Sequence, residues 1–319
     1  MIETVLPAHR DLLQAAARIA PYTVPTPLLT SQTLDALSGA QLCFKAEHLQ
    51  RSGAFKFRGA CNAVWSLPEA VARRGVVTHS SGNHGAALAL AARTRGIACH
   101  VVVPEGAVAA KLANITRHGA TLWRCPPTMA AREQLCAEVQ ASSGATLVHP
   151  YADAAVIAGQ GTATLELLQQ SGGVDVLVAP VGGGGLAAGA ALALQTAPDC
   201  ALVLAEPAGA ADTARSLAAG QRLVDGVPET VCDGLRGTLG VPNFAILQAA
   251  GAQVVTVDDA AVVQAMRLLW QVLKQVVEPS SATVLAAVLA EPARFAGRRI
   301  GLLLSGGNVD LDALPWAGA

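Results

Sequence analysis

Short apolar runs alternate with amphipathic stretches through much of the chain. Between residues 75 and 144, strands and helices are predicted in alternation at 76–79, 83–93, 98–103, 109–118, 121–124 and 128–140. Strands that alternate with helices at this spacing are typical of a parallel sheet covered by helices on both faces. The pattern therefore predicts an α/β fold, with a smaller α/β domain over residues 67–149.

The regions on either side of this repeat also carry regular elements. Residues 10–20 place Leu12, Leu13, Ala16 and Ile19 on one stripe, which predicts an amphipathic helix. Apolar runs that predict strands lie at 40–47, 174–181 and 300–304. We expect these elements to belong to a larger domain made of residues 1–66 and 150–319.

Composition excludes several classes of protein. With 319 residues, of which 52% are hydrophobic, the chain can bury a large core. A net charge of −1 gives no basic surface for nucleic acid or an anionic membrane. No apolar run reaches the roughly 18 to 20 residues of a membrane span, and Met1 to Pro7 lacks the basic and apolar pattern of a secretory signal. The seven cysteines are scattered without a CxxC pair, which indicates reduced thiols in the cytoplasm, not disulfides or zinc.

A scarce lysine is the first candidate for chemistry. Lys56 is one of only four lysines and lies between two phenylalanines in the stretch RSGAFKFRG. A helix is predicted at residues 60–66, which would place Lys56 near its N-terminus. Partial desolvation lowers the pKa of an amine, and the neutral amine is the form that condenses with a carbonyl. The alternative is a surface lysine whose stem packs on Phe55 and Phe57.

A run of four glycines is the second candidate. Gly182 to Gly185 follow the apolar run 174–181 and precede the helix-forming stretch 186–192. Strand, glycines and helix together aim backbone N–H groups and a positive helix end at a phosphate. No Gly-Lys-Ser/Thr closes the run, so it is not a P-loop, although a flexible turn remains an alternative. A desolvated lysine and a backbone phosphate site together indicate pyridoxal 5′-phosphate.

Four motifs in this order resemble those of one enzyme family. They are GAFKFRG at 53–59, SSGNHG at 80–85, GGGG at 182–185 and SGGN at 305–308. The chain is similar to the fold-type II pyridoxal-phosphate enzymes, within the branch of serine/threonine dehydratases, serine racemases and threo-3-hydroxyaspartate ammonia-lyases, from about residue 26 to residue 308. The resemblance implies a tryptophan synthase beta-like fold of two domains, the smaller inserted in the larger, with the active site between them. It also implies a homodimer.

The resemblance assigns the cofactor contacts. It implies that Lys56 carries the cofactor through an imine, that Asn83 hydrogen-bonds the ring oxygen, and that Gly182, Gly183, Gly184 and Gly185 hold the phosphate. Ser305 would face the pyridine nitrogen. A neutral hydroxyl there leaves the nitrogen less firmly protonated, which suits rapid loss of a leaving group from Cβ.

The resemblance also assigns substrate contacts. Ser81 would stand across the ring from Lys56 as the second catalytic residue. The loop of Ser80, Ser81, Gly82, Asn83 and His84 would hold the substrate carboxylate, with no catalytic role for His84. Without the other motifs, this loop would be interpreted as an ordinary helix N-cap. Arg132 matches a position near the mouth of the site and would bind or gate substrate, although a surface ion pair is an equal interpretation.

A cation site is predicted separately. Glu206 and Asp212, with the Ala210 carbonyl between them, offer hard oxygen ligands for Mg²⁺ or Ca²⁺. This spacing is similar to the divalent-cation site of serine racemases and related dehydratases. Two solvated carboxylates in a loop are the alternative.

The leading functional hypothesis is an ammonia-lyase that acts on L-serine, L-threonine or L-threo-3-hydroxyaspartate. A serine or aspartate racemase is the nearest rival, a β-replacement synthase follows, and a non-catalytic cofactor-binding protein is the candidate from another class. Tyr151 and Gly237 depart from the asparagine and serine of animal serine racemases, which weakens the case for a dedicated serine racemase. Arg236 would favour a substrate with a second carboxylate, unless it faces solvent.

Overall fold

The computed structural model describes residues 6–316 and contains two mainly parallel sheets flanked by helices. The strands are β1 (Leu28–Leu29), β2 (Gln41–Lys45), β3 (Val76–Thr78), β4 (Cys99–Pro104), β5 (Thr121–Cys125), β6 (Thr146–Leu147), β7 (Val176–Pro180), β8 (Ala201–Pro207), β9 (Gln253–Val257) and β10 (Arg299–Leu303). The α-helices are α1 (His9–Ile19), α2 (Gln32–Ser38), α3 (Lys56–Ser66), α4 (Glu69–Ala72), α5 (Asn83–Arg95), α6 (Ala109–Thr116), α7 (Met129–Ser143), α8 (Ala154–Ser171), α9 (Gly185–Ala193), α10 (Asp212–Ala219), α11 (Val241–Ala249), α12 (Asp259–Gln271), α13 (Pro279–Ala290) and α14 (Pro292–Phe295). The expectation about a secretory signal rests mainly on residues 1–5, which lie outside the described residues.

The larger sheet has six strands in the order β1-β2-β10-β7-β8-β9, and only its β1–β2 pair is antiparallel. Strand β7 is buried at every position, as expected of an apolar run with helices on both faces. Helices α2, α12 and α13 pack on one face, and α1, α8, α9 and α11 pack on the other. The carboxyl end of β7 leads into the glycine run, and that of β10 leads into Ser305.

The smaller sheet has four parallel strands in the order β5-β4-β3-β6. Helix α7 covers one face, whereas α3, α5 and α6 contribute to the core on the other. The two sheets confirm the predicted α/β class. All four strands lie between residues 76 and 147, whereas the domain boundaries at 67 and 149 stay a prediction.

Predicted elements differ from the observed ones mainly at their ends, whereas several observed elements, among them α8, α12 and α13, have no predicted counterpart. Helix α7 continues past the predicted end at residue 140 to Ser143, where Gly144 takes a left-handed conformation with φ of 70°. The hydroxyls of Ser142 and Ser143 donate back to the carbonyl of Val139, so these serines form part of the last helical turn. Strand β6 and helix α2 are absent from the prediction, because they are only 2 and 7 residues long and show too little periodicity.

Four charged side chains, Lys45, Glu47, Arg58 and Glu166, form a buried network that we call the four-charge cluster. Arg58 is 1% exposed and donates to both oxygens of Glu47 and both oxygens of Glu166 at 2.7–2.8 Å. Lys45 is fully buried and donates to Glu166 at 2.8 Å. Because every charge has an opposite partner, the cluster meets the condition for burying ions. It joins β2 and the segment after it to α3 and α8.

The seven cysteines are all free thiols, and six of them are buried. Burial raises the pKa of Cys61, Cys99 and Cys232 to about 12 each. Within residues 6–316, no helix combines the length and apolar character needed to cross a bilayer.

Candidate active site

Lys56 is the first residue of helix α3, which begins there and not at the predicted Ala60. Its Nζ donates to the Pro150 carbonyl at 3.0 Å and lies 5.1 Å from the centroid of the Phe55 ring. Phe57 is instead packed in the core beside α5. Burial lowers the pKa of the Lys56 amine to about 8, against the opposing charge of Glu278. A large fraction of this amine is therefore neutral at mildly alkaline pH.

The Lys56 amine lines a cavity of about 510 Å³. The cavity brings together most of the predicted site residues: Lys56, Ser80, Ser81, Gly82, Asn83, His84, Arg132, Gly182, Gly183, Gly184, Gly185 and Ser305. Its wall also contains Glu278 and Lys111, which sequence reasoning missed. The predicted cation ligands Glu206, Ala210 and Asp212 are not part of this wall.

The glycine run forms one side of the cavity. Helix α9 begins at Gly185, and Gly184 before it has φ of 87°, a conformation that favours glycine. A Cβ at Gly182 would lie 2.7 Å from the backbone of Leu235, and one at Gly183 would overlap the Tyr151 ring. Only glycine therefore fits here, and bare backbone amides at the start of a buried helix suit a phosphate. The lysine and this backbone site together fit pyridoxal phosphate.

Tyr151 lies directly against the glycine run. A Cβ at Gly185 would lie 3.1 Å from the backbone and Cβ of Tyr151, and a Cβ at Gly237 would lie 3.4 Å from its ring. A side chain at residue 237 would thus begin in van der Waals contact with the tyrosine ring. The two departures from animal serine racemases form one adjoining piece of the cavity wall.

The loop between β3 and α5 carries the Ser-Gly-Asn-His motif. Ser80 Oγ accepts weakly from the Gly82 N–H at 3.4 Å. Asn83 Nδ2 donates to the Glu278 carboxylate at 2.9 and 3.0 Å. The His84 ring is buried, and its Nε2 contacts the Val148 carbonyl at 3.3 Å. Because a carbonyl only accepts, Nε2 carries the proton, and burial together with the charge of Lys56 holds the pKa of His84 well below its usual range. The neutral His84 ring thus ties the start of α5 to the Val148 carbonyl.

Ser305 follows β10 and is 3% exposed. Its Oγ lies 3.1 Å from the Oγ of Ser281. Ser281 donates to the Gly306 carbonyl and accepts from the Gly306 N–H, each at 2.6 Å. The only role left for Ser281 toward Ser305 is that of acceptor, so the neighbouring serine fixes the Ser305 hydroxyl.

Four cationic side chains besides Lys56 line the cavity: Lys111, Arg117, Arg132 and Arg236. Arg117 is exposed. Arg132 on α7 makes no ion pair with any residue in 6–316, and its buried Nε has no hydrogen-bond partner there. Arg236 is exposed and donates to the Thr230 carbonyl. Lys111 on α6 forms an ion pair with Asp233. Arg132 is half-buried and its Nε lacks a partner among residues 6–316, whereas Arg117 and Arg236 are exposed, so Arg132 is the best shielded of the three cations that make no ion pair there.

The predicted cation ligands lie at the end of β8 and the start of α10. Both Glu206 oxygens accept backbone N–H groups, from Thr213 and Ala214 at 2.9 Å each. Asp212 Oδ2 accepts from the Leu239 N–H at 2.8 Å. Burial raises the pKa of Glu206 to about 7. In the described part of the chain, no group of three or more His, Cys, Asp or Glu side chains is arranged for a metal ion.

A buried lysine and a run of four glycines that line one cavity are features expected of an enzyme that works through a phosphorylated carbonyl cofactor. The family model described as pyridoxal-phosphate dependent enzyme matches residues 19–306, and the chain belongs to this family. The likeness to fold-type II members of the family in sequence and structure confirms the resemblance inferred from the four motifs.

Two relatives and one solved structure illustrate the likeness. The chain is 47% identical to a beta-hydroxyaspartate dehydratase of Paracoccus denitrificans, covering 98% of this chain and 99% of the relative. It is 46% identical to a serine racemase of Arabidopsis thaliana, covering 95% of this chain and 94% of the relative. The structure of maize serine racemase superposes with a TM-score of 0.93 at 41% identity, covering 96% of this chain and 95% of the maize chain.

Proposed function

We propose that this chain is a pyridoxal-phosphate-dependent ammonia-lyase that eliminates water from a 3-hydroxy amino acid and yields a 2-oxo acid and ammonia. The observation that carries the proposal is Lys56, whose amine has a lowered pKa and shares one cavity with Ser81 and the glycine run. The similarity to a dehydratase of a hydroxylated amino acid supports the same activity.

The residues of the cavity would divide the work of holding the cofactor. When bound, pyridoxal phosphate supplies a carbonyl that joins the substrate amine and a ring that withdraws electrons from the substrate Cα. Lys56 would hold the carbonyl carbon, and the N–H groups of Gly182 to Gly185 would hold the phosphate. Asn83 and Ser305 would contact the ring oxygen and the ring nitrogen.

Lys56 would then act as the base. Once the substrate amine has displaced it, the neutral Nζ would accept the proton from Cα, and the lowered pKa of Lys56 favours this neutral form. The Pro150 carbonyl, 3.0 Å from Nζ, holds the amine in place. The Cβ hydroxyl would leave with this proton from Cα as water, and a second water would convert the resulting unsaturated amine to the 2-oxo acid and ammonia.

Among the three candidate substrates we favour L-threo-3-hydroxyaspartate. Its second carboxylate needs a cation, and Arg132 is a cavity-lining guanidinium whose Nε lacks a partner among residues 6–316. The backbone amides of the loop from Ser80 to His84 would hold the first carboxylate. A charge-assisted bond from arginine to carboxylate contributes about 1.5–3 kcal/mol, which corresponds to a preference of roughly 10- to 150-fold over L-serine.

Racemisation is the second candidate function, because Ser81 lines the same cavity as Lys56. A proton returned by Ser81 from the face opposite Lys56 would give the other enantiomer. Elimination and racemisation would then compete for the same deprotonated substrate.

A divalent cation and a homodimer complete the proposal. Glu206, Asp212 and the Ala210 carbonyl would bind Mg²⁺ or Ca²⁺ after modest rearrangement, since the Glu206 oxygens already accept backbone N–H groups. The site lies away from the cavity wall, so the cation would have a structural or activating role. The dimer is testable by light scattering.

The test measures 2-oxo acid release from L-serine, L-threonine and L-threo-3-hydroxyaspartate, beside chiral analysis of the recovered amino acid. Lys56→Ala should abolish both activities, whereas Ser81→Ala should remove racemisation and spare elimination. Arg132→Met should lower kcat/KM for hydroxyaspartate far more than for serine, with Arg124→Met on exposed β5 as the matched control. Enantiomer formation without oxo acid from any substrate would refute the ammonia-lyase.

A further inference from the structure

A chain of hydrogen bonds in the cavity wall joins two of the four motifs, 80–85 and 305–308, to the residue before a third. Asn308 Nδ2 donates to the Ser52 carbonyl at 2.8 Å and to Asn83 Oδ1 at 2.9 Å. Asn83 Nδ2 in turn donates to both oxygens of Glu278. We call Asn308, Asn83 and Glu278 the amide relay. It links the loop before Lys56, the loop before α5 and the segment after β10.

The polarity of the amide relay is fixed at both ends. The Ser52 carbonyl can only accept, so Asn308 must present its NH₂ group there, and the same NH₂ group reaches Asn83. Asn83 must therefore turn its oxygen toward Asn308 and its nitrogen toward Glu278. A carboxylate accepts this nitrogen, whereas a rotated Asn83 would set oxygen against oxygen at Glu278 and nitrogen against nitrogen at Asn308. Only one orientation of the Asn83 amide satisfies both neighbours.

One N–H of Asn83 remains available. The two hydrogens of a planar amide diverge too widely for both to point at one carboxylate. The two oxygens of Glu278 therefore share a single N–H of Asn83 in a bifurcated hydrogen bond. Among the described residues, no other acceptor lies within hydrogen-bond distance of Asn83 Nδ2. Asn83 lines the cavity, so its second N–H is free to donate to a bound acceptor.

The backbone is cleared of side chains at both ends of the amide relay. A Cβ at Gly306 would lie 2.7 Å from Glu278 Oε1, and a Cβ at Gly53 would overlap the Asn308 amide. Glu278 is 5% exposed, and burial raises the pKa of its carboxyl, against the Asn83 hydrogen bond and the charge of Lys111. A buried carboxyl with this environment is costly for stability. A role in orienting Asn83, from which Glu278 accepts a hydrogen bond, would account for a carboxyl at this position.

We propose that Glu278 and Asn308 are positioning residues, which orient the Asn83 amide so that its free N–H donates to the phenolic oxygen of bound pyridoxal phosphate. The inference rests on the proposed function, because it requires the cofactor in this cavity. A donor fixed beforehand stabilises the ionised phenolic oxygen without reorganisation when the cofactor binds. The charge of Glu278 also raises the pKa of the Lys56 amine, but Glu278 would act on the phenolic oxygen only through Asn83.

The test reads the absorption spectrum of the bound cofactor, whose long-wavelength band belongs to the form with an ionised phenolic oxygen. Glu278→Ala and Asn83→Ala should each lower the ratio of long- to short-wavelength band by roughly tenfold, the worth of a hydrogen bond to a charged group. The double variant should match the single variants, because both remove the same interaction. Glu278→Gln keeps an acceptor and should restore most of the ratio.

Several outcomes would overturn the inference. An unchanged spectrum in Glu278→Ala, or additive effects in the double variant, would show that Glu278 does not act through Asn83. If Glu278→Ala does not fold, Asn308→Ala must give the same spectral change, and an unaltered ratio there counts against the relay. The cofactor adduct on Lys56 of the parent protein, found by mass spectrometry after borohydride reduction, separates this inference from the proposed function. Without the adduct both fail, whereas with it only the relay is at stake.

Discussion

Replacement of Arg58 by methionine should destabilise the protein strongly. Methionine fills much of the space of the arginine stem, but the substitution removes all four hydrogen bonds of 2.7–2.8 Å to Glu47 and Glu166. Glu47, which is fully buried, would keep only the Thr26 hydroxyl at 2.5 Å. The four-charge cluster would then carry one uncompensated negative charge. Breaking a buried ion pair from one side costs about 3–5 kcal/mol.

Urea unfolding measures this cost. With a slope near 3 kcal/mol per molar, the upper end of the usual range, the midpoint should fall by about 1–1.7 M. The matched control is Arg58→Met with Glu47→Gln, which restores neutrality and keeps an acceptor for Thr26. This double variant should recover about 1 kcal/mol or more relative to Arg58→Met alone. A double variant as unstable as the sum of the two single variants would refute the reasoning, because the cost would then be packing and not charge.

Acid provides a second reading of the same cluster. Burial alone would raise the pKa of Glu166, but the hydrogen bonds and charges of Arg58 and Lys45 outweigh it and lower the pKa. A carboxylate with a lowered pKa stabilises the fold at neutral pH, and this contribution is lost as the pH falls through the lowered value. The stability difference between the parent protein and Arg58→Met should therefore shrink on acidification. A difference that stays constant down to acid unfolding would contradict the assignment.

Three further predictions concern the cofactor and cation sites. Gly183→Ala should weaken cofactor binding at least about tenfold, because the new Cβ overlaps the Tyr151 ring. The same substitution should weaken binding less in a Tyr151→Ala background. Titration of the cofactor-free protein with pyridoxal phosphate measures both affinities, and equal losses would exclude the steric cause. The rate of cofactor incorporation should rise with pH and level off above about 8, as the Lys56 amine becomes neutral; a rate still climbing steeply at pH 10 would contradict the lowered pKa. Mg²⁺ or Ca²⁺ should raise the melting temperature of the parent protein but not of Glu206→Gln, and an equal rise in both would place the cation elsewhere.

Local sequence accounts for much of the fold. Buried strands such as β7 are recognisable because their apolar runs are continuous, and the glycine run marks the turn that follows. Helix α3 begins earlier than predicted, because Gly59 interrupts the sequence pattern of the helix. Glycine is required there because Gly59 packs closely against α8, where Gln160 accepts its N–H at 3.0 Å. Such a tertiary reason is invisible in the local pattern.

The candidate site divides along the same line. Lys56, Asn83 and Ser305 are predictable because each lies inside a recognisable motif. Glu278 is not, because it stands 195 residues from Asn83 in sequence and looks like an ordinary residue before the proline that starts α13. Only the tertiary structure, in which the Glu278 N–H donates to the Gly306 carbonyl after β10, brings Glu278 to the cavity wall.

The buried thiols can report local opening of the two sheets. Cys99, Cys125 and Cys136 belong to the core of the four-stranded sheet, whereas Cys200 and Cys232 lie in the cores of the six-stranded sheet. A shielded thiol with a raised pKa reacts with an alkylating reagent only after its surroundings open. Peptide mapping after timed alkylation would thus show around which sheet the thiols are exposed first by local opening, with no label engineered into the chain.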